Sequence, residues 1–272
     1  HLSEAIDGAD YILITVPTKF VRSVLEEVKP LLKKKVTVIN ASKGFDMETN
    51  MSMSNTIRSV FTNNEINPVA SIIGPSHAEE VVVRMLTAVC AVSKDIEVAR
   101  AVQHLFANDY FRVYTTTDET GAEMGVAYKN VIAVASGILS GLGYGDNARA
   151  ALITRGLYEM TRYGMLKGGE LSTFIGLTGV GDLIVTCSSI HSRNFQAGKE
   201  IGLSNDASDF MIGNSKTVEG VRTAKVIHDE IKERFPHFEA PILDAVYSVL
   251  YENAIPSVKV KDLMNRALKS ER

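Results

Sequence analysis

An α/β part followed by an all-α part is the fold class that this sequence predicts, on three observations. Up to about residue 117, short apolar runs of strand length alternate with helix-like stretches. Those runs are apolar at consecutive positions, as expected of strands covered by helices on both faces in a sheet that is at least partly parallel. From Asp118 onward the runs stop and helical patterning alone continues. A chain of 272 residues that is 45% hydrophobic can bury a large core and divide into two domains.

The elements follow in order. A short helix ends at Gly8 and feeds directly into a strand over 11–16, so the chain is expected to begin inside a domain. Further strands fall at 36–40, 69–73, 88–92 and 111–114, with helices at 21–29, 52–61, 78–84 and 96–106 between them. The boundary lies near 115–118, which gives domains 1–117 and 118–272. Helices are then expected at 118–140, 147–164, 170–177, 179–186, 193–201, 219–234 and 239–252, with a last one near 259–269. Glycine and Asn/Asp clusters, as at 141–147 and 204–207, separate them.

Composition excludes several function classes. Net charge is −3 and no basic run exceeds Lys33-Lys34-Lys35, so nucleic acid is not an expected partner. Cys90 and Cys187 lack metal-type spacing and fit reduced thiols in a cytoplasmic setting. No apolar run reaches the roughly 20 residues of a membrane span, and no signal-peptide pattern is present. No Gly-x-Gly-x-x-Gly follows a strand. The glycine sets 141/143/145 and 176/179/181 lack the strand–turn–helix context that a dinucleotide fingerprint requires.

Several residues suggest chemistry. Gly179-Val-Gly-Asp-Leu-Ile-Val-Thr-Cys187 and Ser192-Arg-Asn194 gather a carboxylate, small hydroxyls, a guanidinium and an amide, which suits an oxygen-rich anion. Arg193 at a helix start reads as a phosphate clamp or as a surface arginine. Lys129 lies on an apolar helical segment with no acidic residue at i±4. Desolvation would lower its pKa and suit a general base, unless it snorkels. Asp182 would orient Lys129, hold a hydroxyl, or simply start a helix. Lys43 follows a strand end, where ligands of open α/β sheets bind, or it is a solvated turn lysine. In Gly74-Pro-Ser-His-Ala-Glu79, Ser76 is expected to cap the helix that follows, with or without an anion. Glu219 opens a late helix and could reach a ribose or act as a cap.

The motifs Ala41-Ser-Lys-Gly-Phe45, Gly74-Pro-Ser-His-Ala-Glu-Glu-Val81, Lys129-Asn-Val-Ile-Ala133, the 143–156 segment, 179–187, Ser192-Arg-Asn194 and Val218-Glu-Gly-Val-Arg-Thr-Ala224 occur in this order. Together they resemble the bacterial NAD(P)-dependent glycerol-3-phosphate dehydrogenases. The resemblance implies a truncated Rossmann-type sheet over 1–117 and, over 118–272, an all-helical domain of the 6-phosphogluconate dehydrogenase-like type. It implies hydride transfer between sn-glycerol 3-phosphate and NAD or NADP, with Lys129 taking the C2 hydroxyl proton. Lys43, Gly74, Ser76, Lys129, Asp182, Ser192, Arg193 and Asn194 would line the substrate. Lys43, Ala78, Arg193, Val218 and Glu219 would touch the dinucleotide. The family's Gly-rich phosphate turn would precede His1, so a truncated form that turns over poorly or not at all is expected. A small phosphorylated substrate, a cytoplasmic site in phospholipid precursor synthesis, no metal and a homodimer complete the expectation. The alternatives are another dehydrogenase of the 6-phosphogluconate or 3-hydroxyisobutyrate type, or a non-catalytic helical binding module.

Overall fold

The computed structural model describes residues 1–62, 64–213, 218–268, 270 and 271. They fall into two compact units, one of residues 1–127 and 161–182, the other of 128–160 and 183–272.

The first unit is built on a five-stranded sheet. Its elements are α1 (Leu2–Ile6), β1 (Tyr11–Ile14), α2 (Thr18–Val28) with a 3-10 turn at Lys29–Leu31, β2 (Thr37–Asn40), α3 (Met53–Val60), β3 (Ala70–Ile73), α4 (Ala78–Val81), β4 (Thr87–Val92), α5 (Ile96–Phe106) and β5 (Phe111–Thr116). The strands lie side by side in sequence order. β1–β2, β2–β3 and β4–β5 are parallel, while β3 and β4 run antiparallel. The reversal follows from the connection between β3 and β4, where α4 has only four residues and is too short for a crossover helix.

The consecutive apolar runs are explained by cover on both faces. Val38 packs with α2 and α3 through Val21, Leu25, Met53 and Ile57, while its neighbour Ile39 packs with Val89, Val102 and Phe111. Further along the sheet, Ile73, Cys90 and Val92 meet Ala122 and Val126 of α6 (Glu119–Gly141). Asp118 caps that helix by accepting from the Gly121 N–H at 2.8 Å. Cys90 is a buried free thiol, pushed up to about 11 by burial.

Beyond Thr116 no strand occurs among the described residues, as expected. The later elements are α7 (Asp146–Leu166), α8 (Leu171–Phe174), a π-helical turn (Leu177–Gly181), α9 (Asp182–Ser188), α10 (Arg193–Ser204), α11 (Ser208–Gly213), α12 (Glu219–Arg234), α13 (Pro241–Tyr251) and α14 (Pro256–Met264). The sequence reading missed α11, whose six residues are too few to show a period. It also carried the last helix to residue 269, which lies outside the described residues. The 18-residue stretch Leu171–Ser188 has the length and mean hydropathy, 1.4, of a span. It is nevertheless broken into α8, the π turn and α9, with a buried carboxylate at Asp182.

In the second unit Glu159 ties three helices together. Its carboxylate accepts from the Tyr128 hydroxyl at 2.7 Å and from the Ile242 and Leu243 N–H groups, at 3.0 and 2.9 Å, at the start of α13. Burial pushes this carboxyl above the usual carboxylate range, against the pull of those three donors.

Candidate active site

In the first unit the candidate residues come from the carboxyl ends of β2 and β3. Asn40 closes the turn after β2, its side chain donating to the Ser42 carbonyl at 2.9 Å and accepting from the Ser42 N–H at 3.0 Å. Lys43 emerges from that turn half-buried. Its Nζ lies 3.1 Å from the Gly74 carbonyl and 3.3 Å from Asp182 Oδ2. Asp182 is 1% exposed, so its charge is held inside the fold beside an ammonium. Gly74 has φ +151°, and a Cβ there would sit 2.9 Å from the Val89 Cα, so the tight turn demands glycine. The Ser76 hydroxyl donates to the same Gly74 carbonyl at 3.1 Å. Lys43, Gly74, Ser76 and Asp182, predicted separately, thus form one cluster.

The cap expected of Ser76 is corrected. α4 begins one residue later than that reading needs, its N-cap is His77, and no side chain caps it. The Ser76 hydroxyl is turned back onto the backbone of its own turn. Ala78 is the exposed first residue of α4.

In the second unit the predicted burial of Lys129 holds: it is 3% exposed, on a stretch of α6 that is buried all round. Its Nζ donates to Thr186 Oγ1 at 2.9 Å. Asn194 Nδ2 donates to Asn130 Oδ1 at 3.0 Å, and Asn194 Oδ1 accepts from the Gly220 N–H at 2.8 Å. Gly220 follows Glu219, and buried Val218 is the N-cap residue of α12. Ser192 caps α10, its hydroxyl oxygen accepting from the Phe195 N–H at 3.2 Å. Arg193, the first residue of α10, is exposed. Sequence reasoning left Thr186, Asn130 and Gly220 out of the site. The signals available were the position of Thr186 four residues after Asp182 and of Asn130 next to Lys129.

The NAD-dependent glycerol-3-phosphate dehydrogenase N-terminus family matches residues 1–99, and the corresponding C-terminus family matches residues 118–261. The chain belongs to the NAD-dependent glycerol-3-phosphate dehydrogenase family. A glycerol-3-phosphate dehydrogenase [NAD(P)+] of Lacticaseibacillus casei is 46% identical over 99% of this chain and 78% of its own. One from Listeria monocytogenes is 44% identical over 100% of this chain and 80% of its own. The crystal structure of the glycerol-3-phosphate dehydrogenase of Coxiella burnetii superposes with a TM-score of 0.87 at 32% identity, covering 98% of this chain and 80% of that one.

In this glycerol-3-phosphate dehydrogenase family member, the residues present fit the nicotinamide end of a dinucleotide. β1, β2 and β3 are parallel, so their carboxyl ends open on one edge of the sheet, where such ligands bind. The Cβ-free turn at Gly74 and the half-buried Lys43 ammonium lie at that edge.

Proposed function

We propose that this chain interconverts sn-glycerol 3-phosphate and dihydroxyacetone phosphate with NAD or NADP, and that Lys129 is the group that takes and returns the C2 hydroxyl proton. A lysine 3% exposed on α6, within the segment that the C-terminus family matches, carries the assignment of the base. The family match over 1–99 and 118–261 and the identity near 45% support the reaction. It is an oxidoreductase reaction, and a nicotinamide supplies hydride acceptance and donation when bound.

The other roles follow from chemical type. Lys43, Gly74, Ser76 and Asp182 would meet the oxygens of the substrate from the first unit. Ser192, Arg193 and Asn194 would meet its phosphate from the second, the guanidinium providing a forked pair of donors. Lys43, Ala78, Arg193, Val218 and Glu219 would contact the dinucleotide. On this reading 1–117 is the cofactor-binding domain and 118–272 the substrate and catalytic domain. The partner is a small phosphorylated molecule, the setting is cytoplasmic, and the assembly is a homodimer, which sedimentation would test.

Calorimetric titration with glycerol 3-phosphate and with glycerol, beside a steady-state assay with dihydroxyacetone phosphate and NADH or NADPH, tests the reading. Binding of the phosphate ester at least tenfold tighter than glycerol is expected. Equal binding of the two, or binding of neither, overturns it.

A further inference from the structure

Within the second unit α6 and α10 touch backbone to backbone, and the contact is made of glycine on both sides. A methyl on Gly137 would land on the Phe195 carbonyl and lie 2.9 Å from the Gly198 Cα. One on Gly198 would strike the Val134 carbonyl and lie 3.0 Å from the Ile138 N. One turn further, Gly141 and Gly202 repeat the pattern. A Cβ on Gly202 would be 2.9 Å from the Gly141 Cα, and one on Gly141 would be 2.7 Å from the Leu203 N. Both helices therefore carry glycine at i and i+4, the spacing that lets helix backbones approach closely. Along the same faces, Asn130 lies seven residues before Gly137, two turns away, and Asn194 lies four before Gly198. The Asn194–Asn130 hydrogen bond of 3.0 Å joins the same two faces further toward the helix starts, two turns along α6 and one along α10. Gly220 closes it from α12, since a Cβ there would be 2.9 Å from Asn194 Oδ1.

We propose that this glycine-lined crossing is a positioning device for substrate recognition. Gly137, Gly141, Gly198 and Gly202 set the separation and register of α6 and α10 so that Asn194, beside Arg193 at the head of α10, is locked to Asn130, beside Lys129. The inference rests on the proposed function, which gives Lys129 and Arg193 their roles. The glycines act through Asn194 and are positioning residues. Packed interiors transmit small displacements because they have little free volume. A methyl two turns from Asn194 therefore shifts the head of the helix.

The test uses the whole chain, with the dissociation constant for glycerol 3-phosphate by calorimetry as the main readout and the melting temperature as its companion. Gly202→Ala is expected to weaken glycerol 3-phosphate binding on the order of tenfold. Gly213→Ala, where no atom lies within 4 Å of the added methyl, should leave both readouts unchanged. Ile227→Val, which trims the buried core of α12, should lower the melting temperature without moving the dissociation constant. If Gly202→Ala fails to fold, Asn130→Ala breaks the same lock without adding volume and should weaken binding to a similar degree. Unchanged affinity in a folded Gly202→Ala protein, or in Asn130→Ala, overturns the proposal. Absence of glycerol 3-phosphate binding by the unmodified chain would instead overturn the functional reading on which it rests.

Discussion

Two buried carboxylates, Asp182 in the first unit and Glu159 in the second, are held in different ways. The first sets Lys43 3.3 Å from Asp182, charge against charge, on loops at strand ends and the first turn of α9. The second surrounds the Glu159 carboxylate with a phenol and two backbone N–H groups and sets the Lys129 Nζ on a threonine hydroxyl. A buried charge facing its opposite is costly to leave alone, because removing the partner leaves it unpaired. A buried carboxylate facing neutral donors, as Glu159 does, takes up a proton more readily than an exposed one. On the proposed function, Lys43 and Asp182 of the first region meet the oxygens of the substrate and Lys129 of the second exchanges its proton.

The largest expected effect tests that division. In a chain extended to the length of its relatives, Lys129→Met should lower turnover by roughly 10²–10⁴-fold, the usual share of a general base, with little change in glycerol 3-phosphate affinity by calorimetry. Near-normal turnover would remove proton exchange from the second unit. Arg193→Ala should come next, raising the Michaelis constant for glycerol 3-phosphate by about 1.5–3 kcal/mol, the worth of a charge-assisted hydrogen bond. Its effect on glycerol should be smaller; an equal effect on both would make Arg193 structural and remove its phosphate role. Ser192→Ala removes the hydroxyl that caps α10 and should cost about 1 kcal/mol in denaturant stability. A larger loss in substrate affinity than in stability would show that the hydroxyl also serves the phosphate.

The smallest effect concerns Glu159. Its native carboxyl is raised above the ordinary value by burial, so the folded state holds that proton more tightly than the unfolded chain does. Its contribution to stability is present below the unfolded value near 4.5 and is lost as pH rises through the native value. Denaturant midpoints of the unmodified chain should therefore fall with rising pH on account of this group, and Glu159→Gln should flatten that slope. An unchanged slope in the variant would show that its neutral donors already match the buried charge.

Much of this was legible from residue order. Gly74 could be singled out because it follows a strand and precedes a helix, and Lys129 because a lysine on an apolar helix contradicts its surroundings. Asp182 stood out in a glycine-rich stretch that is poor core material. Thr186 and Asn130 carried no such contradiction. A threonine or an asparagine on a helix becomes a site residue only when another helix places a donor or acceptor within 3 Å of it. Ser76 shows the opposite case: a plausible cap by position, its hydroxyl turned instead onto the Gly74 carbonyl.

By itself, then, the sequence determined the strands, the longer helices, the change from sheet to helices after residue 116 and the order of the motifs. These depend on periodicity and on neighbours a few residues apart, which the chain carries along its length. The tertiary structure alone decided the antiparallel turn of β4 against β3, the partners of Lys43 and Lys129, and the meeting of glycine with glycine between α6 and α10. Those contacts join residues from 17 to 139 positions apart. Their energies depend on which atoms packing brings within a few ångströms, a quantity that no local pattern records.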